Sequence, residues 1–179
     1  ADPSNIESNF RAYLNGFSEN MQDILDNFKF DIEITTMADN DALFYVIQEF
    51  NKADAYLGPD KMTSTDMGYV FEELVRKFSE SYNEEAGAHF TSRDIIYLMT
   101  DLLLIEDKGT LFKEHVFKTV YDQTMGTSQM LSAMTERIHD INDTAEVATF
   151  GQELNPETYA IAKADTMIRG GAVSYTHLR

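Results

Sequence analysis

Through the first half of the chain, apolar residues recur at helical spacing; the second half alternates between helix-like and strand-like runs. Ile6, Phe10, Tyr13 and Phe17 keep one face of a first helix, and Ser4 with Glu7 gives it a capping-box start. Met21, Ile24, Leu25 and Phe28 predict a second short helix, and Leu43, Ile47 and Phe50, opening after Asp39 or Asn40, predict a third. The fourth is the clearest. Met67, Val70, Phe71, Leu74, Val75 and Phe78 fall at i, i+3, i+4, i+7, i+8 and i+11, which makes one apolar stripe with a charged back. Gly58-Pro59 and Glu84-Glu85-Ala86-Gly87 break the periodicity. Residues 4 to about 85 therefore read as consecutive helices, and a helical bundle domain is expected over residues 1–87.

After Gly87 the pattern changes. A helix opening near Thr91, its expected N-cap, carries Ile95, Ile96, Met99, Leu102 and Leu103. A polar connection leads to a strand near 116–121, and a helix follows with Met130, Leu131, Met134, Ile138 and Ile141. A second strand near 146–150 comes next; Asn155-Pro156 then opens a last helix as N-cap and first-turn proline, ending at Gly170-Gly171. Strands alternating with helices predict a parallel sheet with right-handed crossovers. The expected class is thus mainly α with a partial α/β unit over residues 88–171. Two strands are fewer than a stable parallel sheet normally contains, so this unit reads as cut short. Residues 172–179 show neither helical nor strand periodicity and are expected to be a non-native tail, either frame-shifted or added artificially. The chain opens at Ala1 inside a helix start, as a fragment or a processed chain would.

Composition narrows the partners. The 43% hydrophobic fraction, with twelve Phe and nine Tyr, predicts a packed core rather than disorder. A net charge of −17 is unfavourable for direct binding to duplex DNA, which normally requires Lys and Arg in excess, and it would also be repelled by an anionic membrane. No apolar run approaches the roughly 18 residues of a spanning helix, so a soluble chain is expected, with no membrane partner. With no cysteine, disulfides, thiol catalysis and cysteine-ligated zinc are excluded, which fits a reducing, cytoplasmic setting. The histidines at 89, 115, 139 and 177 have no metal-ligand spacing. Asn142-Asp143-Thr144 matches a glycosylation acceptor by chance, and the methionines at 125, 130 and 134 read as core packing.

Three segments carry the candidate chemistry: Ala88-His89-Phe90-Thr91-Ser92-Arg93, Tyr121-Asp122-Gln123-Thr124-Met125-Gly126-Thr127-Ser128, and Phe150-Gly151-Gln152-Glu153-Leu154-Asn155-Pro156. Taken singly, each feature has an ordinary structural use. A glycine at a strand end serves backbone geometry, Asp122 and Glu153 are common loop acids, and Arg93 can be held by Asp94 or another acid as readily as by a ligand carboxylate. Their order is more informative. Strand, acid, glycine turn, helix, strand and acid, with Glu153 following Gly126 by 27 residues, is the arrangement in which a nucleotide-type ligand lies over the carboxyl ends of parallel strands.

With these segments in order behind Asp66-Met67-Gly68-Tyr69-Val70-Phe71-Glu72-Glu73-Leu74, the chain resembles the modification subunit of type I restriction-modification systems over roughly residues 5–170. Members of that family are adenine-specific DNA methyltransferases using S-adenosylmethionine. The resemblance implies that residues 88–171 begin a Rossmann-like methyltransferase domain. It assigns Ala88, His89, Phe90, Thr91, Ser92 and Arg93 to the methionine end of the cofactor; Asp122, Gly126, Thr127 and Ser128 to the floor of its site; and Glu153 to the ribose hydroxyls. Ser92 and Gln123 stand where the family usually has proline, and Ser128 replaces a common second glycine.

The family's Asn-Pro-Pro-aromatic motif, which holds a flipped adenine, has no counterpart, since the prolines are Pro3, Pro59 and Pro156. No catalytic residue is therefore assigned, and the isolated chain is expected to transfer no methyl group. The resemblance also implies that DNA is met only in a full complex with specificity and restriction subunits. Two other classes fit parts of the chain: a non-catalytic helical interaction module, and a nicotinamide dinucleotide-binding oxidoreductase fragment. The short sheet is expected to leave an unpaired edge through which copies can associate.

Overall fold

A computed structural model of the protein describes residues 5–81, 91–170 and 173–177. The chain divides into two compact units, Ala1–Met67 and Gly68–Arg179. The domain boundary expected at residue 87 falls among residues 82–90, outside the described ones.

In the first unit, α1 (Ile6–Leu14), α2 (Glu19–Asn27), α3 (Phe30–Asp39) and α4 (Leu43–Phe50) lead to a short 3-10 turn at Ala53–Ala55. Ile24, Ile34 and Leu43, one from each of the last three helices, are almost fully buried. Each such side chain contributes about 1.5–3 kcal/mol by leaving water. Arg11 on α1 donates to Glu7, to Asp31 and, at 2.9 Å, to Thr35, tying α1 to α3. The helix α3 has no counterpart in the periodicity: Phe30, Ile32 and Ile34 alternate as in a strand, and Ile32 stays exposed. The turn into it is a left-handed Lys29 at φ 52°, and Asp31 and Glu33 in its first turn complement the helix dipole. The first helix stops at Leu14, short of Phe17, where Gln22 closes the turn by donating to the Asn15 and Phe17 carbonyls. Ser4, the expected cap, lies outside the described residues.

The stripe from Met67 onward belongs to α5 (Ser64–Ser81), which starts on a reciprocal cap. The Thr63 amide donates to Asp66 Oδ2 (3.0 Å), and the Asp66 amide donates to Thr63 Oγ (3.2 Å).

The second unit continues with α6 (Arg93–Leu104), α7 (Lys108–Leu111), β1 (Phe117–Asp122), α8 (Gln129–Ile141), β2 (Glu146–Glu153), α9 (Pro156–Ile168) and β3 (Val173–His177). All three strands are parallel, in the order β1-β2-β3, with Tyr121 opposite Phe150 and Glu153 opposite His177. The sheet thus has a third strand where the sequence reading expects a tail without periodicity. Val173-Ser174-Tyr175-Thr176-His177 is a run of five residues rich in β-formers, long enough to pair with the edge that β2 offers.

Helix α8 packs against β1 and β2, and α9 packs against β2 and β3. Along β1 exposure alternates accordingly: Phe117, Thr119 and Tyr121 are exposed, whereas Lys118, Val120 and Asp122 are partly covered. Val120 packs against both buried clusters, one of Leu104, Leu111, Met134, Ile138 and Ala145, the other of Met125, Leu131, Tyr159 and Ala162. In α6 the inward face is Ile96, Thr100 and Leu104; of the five apolar residues expected to make its stripe Ile96 is buried, whereas Ile95, Met99, Leu102 and Leu103 are exposed. Asn142 binds the Leu111 and Lys113 carbonyls (2.8 and 2.9 Å), so its carboxamide closes a loop.

Candidate cofactor site

The carboxyl ends of β1 and β2 hold the site, and the turn from Asp122 to Ser128 shapes it. Asp122 Oδ1 accepts from the Thr124 amide (2.9 Å), which bends the chain at once after the strand. The Met125 amide donates to the Gln152 carbonyl (3.0 Å), strapping the turn onto β2, and the Ser128 amide closes back on Met125 (2.8 Å). Gly126 takes φ 55°, the left-handed region that glycine enters without steric cost. A methyl group built there would meet no atom of the described residues within 4 Å beyond its two chain neighbours, so among those residues open space lies in front of this backbone.

Gly151 has the opposite reason to be glycine. A Cβ there would stand 2.2 Å from the Met125 sulfur, so the bare backbone is what lets Met125 seat under the turn. Ser128 also takes a left-handed φ, 69°, and is wholly buried; the residue that replaces a glycine does not fill the space before Gly126.

Glu153 closes the far side. Its Oε2 accepts from the Gly126 amide (3.1 Å), and its Oε1 accepts from the Leu154 and Asn155 amides (both 2.8 Å). Tyr121 reaches across to Gln152 Oε1 (2.8 Å). Asn155 caps α9 as expected, accepting from Glu157 and Thr158. The structure therefore brings Asp122, Gly126, Ser128 and Glu153 together at one end of the sheet. An acid on each of two strand ends, with clear space over a glycine turn between them, fits the nucleoside-type cofactor that the resemblance implies.

The first segment is placed in part. Ala88, His89 and Phe90 lie outside the described residues. Ser92, not Thr91, is the N-cap of α6, because its backbone is extended (ψ 135°) and its carbonyl already accepts from Ile95 and Ile96. Arg93 is the first helical residue. Its guanidinium is gripped by Glu72 of α5, with Nε 2.9 Å from Oε1 and Nη2 bonded to Oε2. It shares a cleft with Thr127, Glu136, Asp165 and Arg169. Glu72, Asp165 and Arg169 escaped the sequence reading, since charges on the back of an amphipathic helix and in a last helical turn read as solvated. Among the described residues, no three His, Asp or Glu side chains form a metal-holding group, and no helix is long and apolar enough to cross a membrane.

Residues 62–179 match the model of a family described as N-6 DNA Methylase. The methylase subunit of the type I restriction enzyme HindI of Haemophilus influenzae is 30% identical over 109 residues, which are 58% of this chain and 21% of that protein. The methylase subunit of the type I restriction enzyme MjaIX of Methanocaldococcus jannaschii is 25% identical over 136 residues, 74% of this chain and 22% of that protein. The chain thus spans about a fifth of the length of these curated relatives. Among solved structures, the methyltransferase subunit of a type I restriction-modification system from Streptococcus thermophilus is 28% identical, covers 51% of this chain and 18% of its own, and superposes with a TM-score of 0.41. The family match runs from the start of α5 through the glycine turn and all three strands, and the chain belongs to the N-6 DNA methylase family.

Proposed function

We propose that this chain is the S-adenosylmethionine-binding portion of a methyltransferase subunit that methylates adenine N6 in a specific DNA sequence, working with the specificity and restriction subunits of a type I restriction-modification system. The observation that carries the reading is the meeting of Asp122, Gly126 and Glu153 at the carboxyl ends of two adjacent parallel strands. When bound there, the cofactor supplies an electrophilic sulfonium methyl group. In this reading the chain's own residues bind and orient. The Gly126-Thr127-Ser128 backbone forms a floor that a nucleoside can approach closely, Glu153 offers its carboxylate to ribose hydroxyls, and Asp122 fixes the turn. Thr91, Ser92 and Arg93, with Ala88, His89 and Phe90, border the methionine end.

The base-holding Asn-Pro-Pro-aromatic motif is absent from the sequence, so residues 1–179 should bind the cofactor without transferring its methyl group. Net charge of −17 fits a subunit that reaches DNA through partners rather than by its own surface. Calorimetric titration with S-adenosylmethionine, its demethylated product and a nicotinamide dinucleotide tests the assignment. Binding of the first two alone is expected. Binding of the dinucleotide alone would favour an oxidoreductase, and binding of none would favour a helical docking module. Labelled methyl appearing in duplex DNA with the purified chain would overturn the proposed division of labour. The β1 edge has no strand beyond it among the described residues and carries exposed Phe117 and Tyr121, which supports self-association; a light-scattering mass that stays monomeric at all concentrations would exclude that.

A further inference from the structure

We propose that Glu72 is a positioning residue for the cofactor site, acting through Arg93 to fix where α6 begins. The inference rests on the assignment of residues 91–93 to that site. A guanidinium at the first position of a helix faces the positive end of the dipole and is disfavoured there, so Arg93 needs an anionic partner to stay. That partner comes from another helix. Glu72, with a side chain 19% exposed, takes the Arg93 fork through both oxygens, a planar two-point contact that fixes direction as well as distance. The Tyr69 ring, one turn earlier on α5, lies 5.3 Å from the same guanidinium.

Glu72 is itself held. Arg169 at the end of α9 places Nη2 3.8 Å from Glu72 Oε2, and its Nε lies 3.0 and 2.9 Å from the two oxygens of Asp165, which is buried. Its Nη1 is 3.6 Å from Glu136 on α8. This approach depends on Gly68, since a Cβ there would come within 2.7 Å of the Arg169 guanidinium carbon. Two arginines and three acids thus lock α5, α6, α8 and α9 around one carboxylate. The lock ends at Arg93, which adjoins the Ser92 cap whose carbonyl accepts from Ile95 and Ile96. Arg93, with its fork already engaged, acts on the site by placing Thr91 and Ser92.

Amide hydrogen exchange resolved by residue on the full chain tests this, together with S-adenosylmethionine titration of the same samples. Glu72→Gln, which keeps the shape and removes the charge, is expected to speed exchange of the Ile95, Ile96 and Tyr97 amides about tenfold while leaving α8 unchanged, and to weaken cofactor binding about tenfold. Arg93→Lys, which keeps the charge but not the fork, is the second variant: it should speed exchange of the same amides and weaken cofactor binding, each by less than about tenfold, and it decides the matter even if Glu72→Gln does not fold. Unchanged exchange at the start of α6, or an equal rise over the whole chain, overturns the proposal. A wild-type chain that binds no S-adenosylmethionine would overturn the functional assignment instead, and the exchange data would still decide the role of Glu72.

Discussion

Glu153 accepts a hydrogen bond from the backbone amide of Gly126 at 3.1 Å, joining the end of β2 to the turn after β1 across 27 residues of chain. The same carboxylate takes the Leu154 and Asn155 amides, so one side chain organises both loops at the edge of the site. Hydrogen bonds to a charged acceptor are stronger than neutral ones, although this group is half-buried and water replaces part of what is lost. Glu153→Ala is expected to cost about 2 kcal/mol in urea unfolding and to reduce S-adenosylmethionine affinity at least tenfold. Glu153→Gln retains one carbonyl oxygen as acceptor and should cost about half as much. Undiminished affinity in the alanine variant would show that the carboxylate only braces the loops.

Gly151 and Met125 form a second pair, defined by space rather than charge. A methyl at Gly151 would collide with the Met125 sulfur at 2.2 Å and crowd Leu131 at 3.2 Å. Overpacking of this kind typically costs about 1–3 kcal/mol. Gly151→Ala should therefore destabilise the chain within that range and, by lifting Met125, disturb the glycine turn and weaken the cofactor. Truncating the obstacle gives the check. In the double variant with Met125→Ala, the two costs should sum to less than their separate values, whereas strict additivity in a double-mutant cycle would mean that the two residues do not meet.

These pairs mark where the sequence was readable and where it was not. The order of acid, glycine turn and acid was legible because strand ends and helix starts announce themselves in Tyr121-Asp122, Gly126 and Asn155-Pro156, and the structure assembles them as one end of a sheet. The helix α3 was not, since Phe30, Ile32 and Ile34 carry a strand's alternation and the deciding term is the burial of Ile34 against its neighbours, a tertiary effect. Nor was β3, whose formation depends on an edge of β2 that no local window contains. The partner of Arg93 was also out of reach: several acids were available, and only packing brings Glu72, 21 residues away, to the fork.

Ser128 tests how the departure from the family's second glycine is tolerated. Its φ of 69° costs a residue with a Cβ roughly 1 kcal/mol, and the side chain is wholly buried. Ser128→Gly should relieve that strain while adding entropy to the unfolded chain, for a net change within about 1 kcal/mol. Ser128→Val adds β-branching at a left-handed position and bulk in a filled space, and about 3 kcal/mol or more should be lost. Thermal unfolding of the two variants reads the difference directly. Equal stability would show that the turn moves to an ordinary backbone conformation when it is asked to.

Asp165 supplies the pH dependence. Burial raises its carboxyl above the ordinary 3.8, and the nearby Glu72 and Glu136 charges push the same way, against the Arg169 guanidinium that favours the ionised form. The folded chain therefore holds this proton more tightly than the unfolded chain does. Stability from the group is fully present below the unfolded value and is lost as pH rises through the folded one, because between them the native state binds the extra proton. Asp165→Asn imitates the neutral form and removes the titration. Measured by urea unfolding at intervals from roughly pH 4 to pH 7, the stability of Asp165→Asn relative to wild type should climb as pH rises and then level off. A difference that stays flat, or falls over that interval, would mean that the Arg169 pairing outweighs burial and that Asp165 is an ordinary stabilising carboxylate.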